Sequence, residues 1–120
     1  MNNEQIFKEN MKTIIRITAQ ESGVPYTLIV AGRGNKVTTP AKMVAMCMAR
    51  HFAGKNLPER NQPTTRDIGR FFNKSYCSVI RATKVSITNH KTIHRDREEK
   101  FVTLYANVEK KLRAIFEPVA

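Results

Sequence analysis

Tyr76, Cys77, Ser78, Arg81 and Lys84 fall on the outward side of a short helix that would begin at Ser75, with Val79, Ala82 and Thr83 facing inward. A phenol, a hydroxyl and two cations near the start of a helix suit a groove whose edges offer hydrogen-bond acceptors and thymine methyls, as the major groove of DNA does. Arg81 can grip a guanine edge with its planar fork, whereas Lys84 is a flexible point charge better suited to phosphate. Ser75, Lys74, Arg66 and Lys42 lie at helix starts or turns, where side chains and backbone amides together meet phosphates, and Lys36 lies in a basic loop. These would position a duplex without specifying its sequence.

A preceding helix must hold that face in place. Thr64 or Thr65 can cap it, Asp67 in its first turn favours the same start, and Ile68, Phe71 and Phe72 share one side. Asn73 and Lys74 make the turn. Residues 64–87 therefore read as a helix-turn-helix.

Catalytic chemistry finds little to work with. His90 and His94 have the i, i+4 spacing of a helical metal pair, but no third ligand matches them, and Lys91, Arg95 and Arg97 would oppose a cation. Cys47 and Cys77 are isolated thiols, with Cys47 expected to be buried and inert. The glycines of AGRGNKVTT follow no strand and lack a P-loop's lysine and hydroxyl, so no nucleotide site is expected. The sequence is read as non-enzymatic, with no cofactor and no metal.

The net charge of +11 is concentrated. Residues 1–30 carry three basic and three acidic side chains and residues 98–120 carry four of each, so the whole surplus lies between Ala31 and Arg97. Carboxylates are sparse in that segment, where Glu59, Asp67 and Asp96 stand alone. This distribution points to a polyanion bound by the middle of the chain.

A chain of 120 residues fits one domain with its own hydrophobic core. The periodicities predict an all-α helical bundle. A long first helix runs from Asn2 or Asn3, with Ile6, Phe7, Met11, Ile14 and Ile15 inward, to a stop at Gly23 and Pro25. Val24–Val30 reads as a short helix or packed turn, and residues 31–39 as a mobile basic loop. Thr39 as cap and Pro40 as first helical residue begin a helix whose buried stripe is Met43, Val44, Cys47, Met48, His51 and Phe52. A polar connection over 54–63 leads to the helix-turn-helix. A closing amphipathic helix over about 96–116 carries Phe101, Leu104, Tyr105, Val108, Leu112, Ile115 and Phe116. No apolar run approaches a membrane span, and the two isolated cysteines suit a reducing compartment, so a cytoplasmic protein is expected.

The order of these parts resembles the C-terminal DNA-binding domain of the bacterial replication initiator DnaA. The likeness runs from about Ile14 to about Lys84: a basic loop and a Pro-started, Met- and Ala-rich helix in GRGNKVTTPAKMVAMCMARHF, an LPE-containing connection, then a helix-turn-helix. The family's turn into its recognition helix, close to G-x-D-H-T-T-V, falls on Asn73 to Val79. Val79 and the Ser78 hydroxyl are kept, while Ser75, Tyr76 and Cys77 replace Asp, His and the first Thr. The resemblance implies that Arg33 enters a minor groove while the helix from Ser75 occupies the adjacent major groove. Glycines on both sides of Arg33 allow close backbone approach, and a guanidinium suits the negative potential of a narrow minor groove.

The reading that results is a double-stranded DNA-binding protein with sequence preference, a transcription regulator or an origin-binding accessory or competitor. Base readout is assigned to Arg33, Tyr76, Cys77, Ser78 and Arg81. By the resemblance it would be bacterial, or encoded by a phage or plasmid in a bacterial host, would act as a monomer, and would lack the family's ATPase module. The alternatives are non-specific nucleic-acid binding and a protein-interaction module using the final helix.

Overall fold

A computed structural model describes residues 2–31, 39–72 and 96–118, the side chains of residue 39 and of residues 96–101 excepted. Five α-helices appear among them: α1 (Asn3–Ser22), α2 (Tyr26–Ile29), α3 (Thr39–Phe52), α4 (Thr65–Phe71) and α5 (Asp96–Phe116), with a 3₁₀ turn at Glu59–Asn61. The described residues contain no strand, in keeping with an all-α chain.

The ends of α1 follow from its sequence. Asn2 accepts from the Gln5 amide at 2.9 Å while the Gln5 side chain accepts from the Asn2 amide at 3.1 Å, a reciprocal capping box. Gly23 ends the helix at φ 75°, left-handed backbone that glycine enters without a Cβ penalty, and its amide reaches the Ala19 carbonyl. Pro25 then starts α2, so Val24–Val30, expected as a short helix or a packed turn, contains a helix.

The Thr39 helix is the centre of the molecule. α3 packs against α1, α2, α4 and α5, and α1 and α5 pack on each other. Surrounded on so many sides, α3 buries Ala41, Val44, Ala45, Met46, Cys47, Met48, Ala49, Phe52 and the adjoining Ala53, far more than the expected single stripe. His51, expected in that stripe, is exposed, its ring tilted by 56° to that of Phe52 with centroids 6.3 Å apart. The alanines explain the wider burial, because small side chains let the neighbouring helices approach.

Met11, Ile14 and Ile15 from α1, Ile29 from α2, Ile68 and Phe72 at α4, and Tyr105, Val108 and Leu112 from α5 close on α3. Phe52 stacks on Phe116 with ring centroids 5.5 Å apart and an interplanar angle of 16°. Ile115, expected in the apolar stripe of the last helix, is 47% exposed. Beyond α3 the connection is stitched by Gln62, whose amide donates to the carbonyls of Gly54 at 2.9 Å and Leu57 at 3.0 Å. A Cβ at residue 54 would sit 1.7 Å from the Gln62 amide oxygen, so a side chain there would displace the Gln62 amide from these two carbonyls.

Candidate nucleic-acid interface

The helix expected to support the reading face is built as its residues predict. Thr64 caps α4 by accepting from the Asp67 amide at 3.2 Å, and the Asp67 carboxylate accepts from the Thr64 amide at 2.9 Å and hydroxyl at 3.0 Å. A helix of seven residues has few internal hydrogen bonds, so this box and the burial of Ile68 and Phe72 hold it. Phe71 is half-buried and meets Phe7 of α1 edge-on, with centroids 6.4 Å apart. Arg66 and Arg70 are exposed, so α4 turns its apolar side to the bundle and its cations outward.

Charge pairing divides the described surface. The ion pairs join Lys8 to Glu4, Lys12 to Glu9, Lys55 to Glu117, Lys111 to Glu21, and Arg113 to both Glu109 and Glu117. Except for Lys55, every member belongs to α1 or to the chain from α5 onward. Among the described residues, Arg50, Arg60 and Arg70, all exposed and all in the basic middle of the chain, pair with no carboxylate. Arg16 on α1 and Lys110 on α5 are likewise without one. Asp67 is held by the cap of its own helix. Among the described residues, the paired cations thus lie mostly on α1 and α5, and three of the unpaired ones lie in the basic middle segment. A cleft of about 450 Å³ between α1 and α4, lined by Glu4, Phe7, Lys8, Asp67, Arg70 and Phe71, mixes both signs of charge and does not form a continuous anion groove.

Lys42 departs from its expected role. It is 3% exposed, and its ammonium donates to the Ala31 carbonyl. The reason is its place on α3, where Ala45, Met46 and Ala49 follow at i+3, i+4 and i+7 and are all buried. A lysine on that side points into the molecule, not toward a phosphate outside it.

Of the other assigned residues, Arg66 is exposed in the first turn of α4. Arg33, Lys36, Lys74, Ser75, Tyr76, Cys77, Ser78, Arg81 and Lys84 lie outside the described residues, as do His90 and His94. Arg50, Arg60 and Arg70 received no role from the sequence; the concentration of charge was the signal that covered them, but it does not say which cations stay unpaired.

The remaining chemistry is structural. Cys47 is fully buried with its Sγ 3.5 Å from the Tyr105 hydroxyl. Burial, and then the bond to Cys47, push the Tyr105 phenol far above its ordinary range. No group of three His, Cys, Asp or Glu side chains placed to hold a metal ion occurs among the described residues. No helix among them is long and apolar enough to cross a membrane. Compared with known proteins, the chain matches no family model, no curated protein and no solved structure.

Proposed function

We propose that this protein binds double-stranded DNA with sequence preference, acting as a transcription regulator or as an origin-binding accessory or competitor similar to the DNA-binding domain of DnaA. The observation that carries the reading is the concentration of the whole surplus of positive charge between Ala31 and Arg97, where Arg50, Arg60 and Arg70 are exposed and pair with no carboxylate among the described residues.

The capped, outward-charged α4 supports the same reading. It has the length, cap and buried side that the first helix of a helix-turn-helix requires, and it packs on the central helix as a supporting helix must. On this reading Arg33 enters the minor groove, and Tyr76, Cys77, Ser78 and Arg81 face the major groove. Ser75, Lys74, Lys84, Lys36 and Arg66 contact phosphates. The burial of Tyr105, Val108 and Leu112 accounts for the amphipathic pattern of α5 without a protein partner.

Binding measured by fluorescence anisotropy against a selected duplex and a scrambled one, across a salt series, tests the reading. Arg81→Ala should relax discrimination at one base pair by about 1–3 kcal/mol, and Arg66→Ala should weaken both duplexes alike and reduce the salt slope by about 1. Equal affinity for both duplexes in the parent protein would reduce the function to non-specific binding.

A further inference from the structure

Two carboxylates line the same cleft as Arg70, and neither pairs with it. Asp67 stands three residues before Arg70 on α4, a spacing at which acid and base meet on a helix surface. Its carboxylate is turned back to the N-cap instead, where it accepts from the Thr64 amide and hydroxyl. Glu4, across the cleft on α1, is held by Lys8 at 3.2 Å. Arg70 is exposed and meets no carboxylate among the described residues, so its planar fork of donors is left to water. The backbone that carries it is fixed. The capping box sets the start of α4, Ile68 and Phe72 before and after Arg70 are buried, and Phe71 meets Phe7 edge-on. Arg66, one turn earlier, is exposed as well, while the acid between the two arginines faces the cap.

The four charged side chains of the cleft, Glu4, Lys8, Asp67 and Arg70, sum to zero. Such a site does not draw an anion from a distance; it favours one that sits directly on the open fork. A guanidinium meets a phosphate with two parallel N–H···O bonds, and at Arg70 no ion pair has to break first. We infer that Arg70 contacts a backbone phosphate of the DNA duplex, a second anchor on α4 beside the one proposed for Arg66. This rests on the proposed function, because the phosphate belongs to the bound duplex. A contact of this kind fixes the protein's register and orientation and carries no sequence information.

Binding across a salt series, on the selected duplex and a scrambled one, reads the contact. One phosphate contact contributes about 0.9 to the slope of log K against log salt. Arg70→Ala should flatten the slope by about that amount and weaken both duplexes alike, by roughly five- to tenfold at about 0.1 M salt, with cooperative unfolding retained. Arg70→Lys keeps the charge without the fork, so it should keep the slope and still bind more weakly than the parent. Arg16 is also exposed and without a carboxylate partner among the described residues, but on α1, and Arg16→Ala should leave the slope unchanged. Duplexes that each carry one neutral methylphosphonate locate the contact: one position should weaken the parent yet cost nothing further in Arg70→Ala. An unchanged slope in folded Arg70→Ala, or an equal loss in Arg16→Ala, would overturn the inference and leave the proposed function standing. A parent protein that binds no duplex would overturn both. Inorganic phosphate held at Arg70, with no methylphosphonate position coupled to it, would overturn the inference by assigning the site to a small free anion.

Discussion

Asn10→Ala gives the sharpest test of how the bundle is held together. Asn10 is 7% exposed on α1, and its amide donates to the carbonyls of Ala53 at 3.0 Å and Lys55 at 2.8 Å, just past the end of α3. The last carbonyls of a helix have no partner within it, and here one side chain from α1, 43 and 45 residues away in sequence, satisfies two acceptors at that end. Each net hydrogen bond contributes about 1 kcal/mol, and a buried acceptor left unsatisfied costs about 1–3 kcal/mol. Ala53 is fully buried, so its carbonyl bears that penalty, while the partly exposed Lys55 can recover a water. The expected loss is about 2–3 kcal/mol. At an unfolding entropy of about 2.1 cal/mol/K per residue, that corresponds to roughly 8–12 °C in Tm. Urea unfolding followed by circular dichroism measures it, with an unchanged slope confirming that stability alone has moved. Asn10→Asp separates hydrogen bonding from volume, since a carboxylate fills the site but donates nothing, and should be at least as damaging. A loss below about 0.5 kcal/mol in the alanine variant would refute the reasoning.

Thr64→Ala should cost about 1 kcal/mol by breaking the capping box of α4, read as a lowered urea midpoint; no change would mean that packing alone holds that helix. Gly23→Ala meets nothing within 4 Å, so its cost is backbone strain alone at φ 75°, about 1–2 kcal/mol, and Gly23→Asn should cost less. The raised Tyr105 phenol means that the folded state keeps a proton the unfolded chain releases. Its contribution is therefore fully present below a phenol's ordinary value near 10 and is lost as the pH rises above it; Tyr105→Phe should flatten that alkaline decline, and an identical pH profile would contradict it. Glu117 is shifted the other way, held low first by its hydrogen bond from Lys55. Its contribution is present above the ordinary carboxylate range and lost as the pH falls through the lowered value, so Glu117→Gln should reduce the acid-side slope of Tm against pH.

The helical frame was largely legible because its signals are local. Asn2 with Gln5, Gly23, and Thr64 with Asp67 mark helix ends through single side chains a few residues apart, and α5 falls where its period places it, at Asp96–Phe116. The centre of the bundle was not legible in the same way. A one-sided stripe was expected for α3, and what decides otherwise is how many helices surround it, a tertiary fact. The same fact buries Lys42, whose charge suggested a surface role although its i+3, i+4 and i+7 neighbours are alanine, methionine and alanine. His51 and Ile115 show the reverse, sitting at helical spacing for the core yet exposed near the ends of α3 and α5. For the candidate site, composition located the basic segment, but that Arg50, Arg60 and Arg70 meet no carboxylate among the described residues depends on which faces the fold brings together.

Selection of bound duplexes from a random DNA pool by the purified protein, at near-physiological salt, tests the central claim most directly. The account predicts enrichment of one short motif, whose likeness to the initiator's box would separate action at origins from a distinct regulatory target. Binding without enrichment would contradict sequence readout and leave only electrostatic attraction. No binding at all would contradict the account entirely.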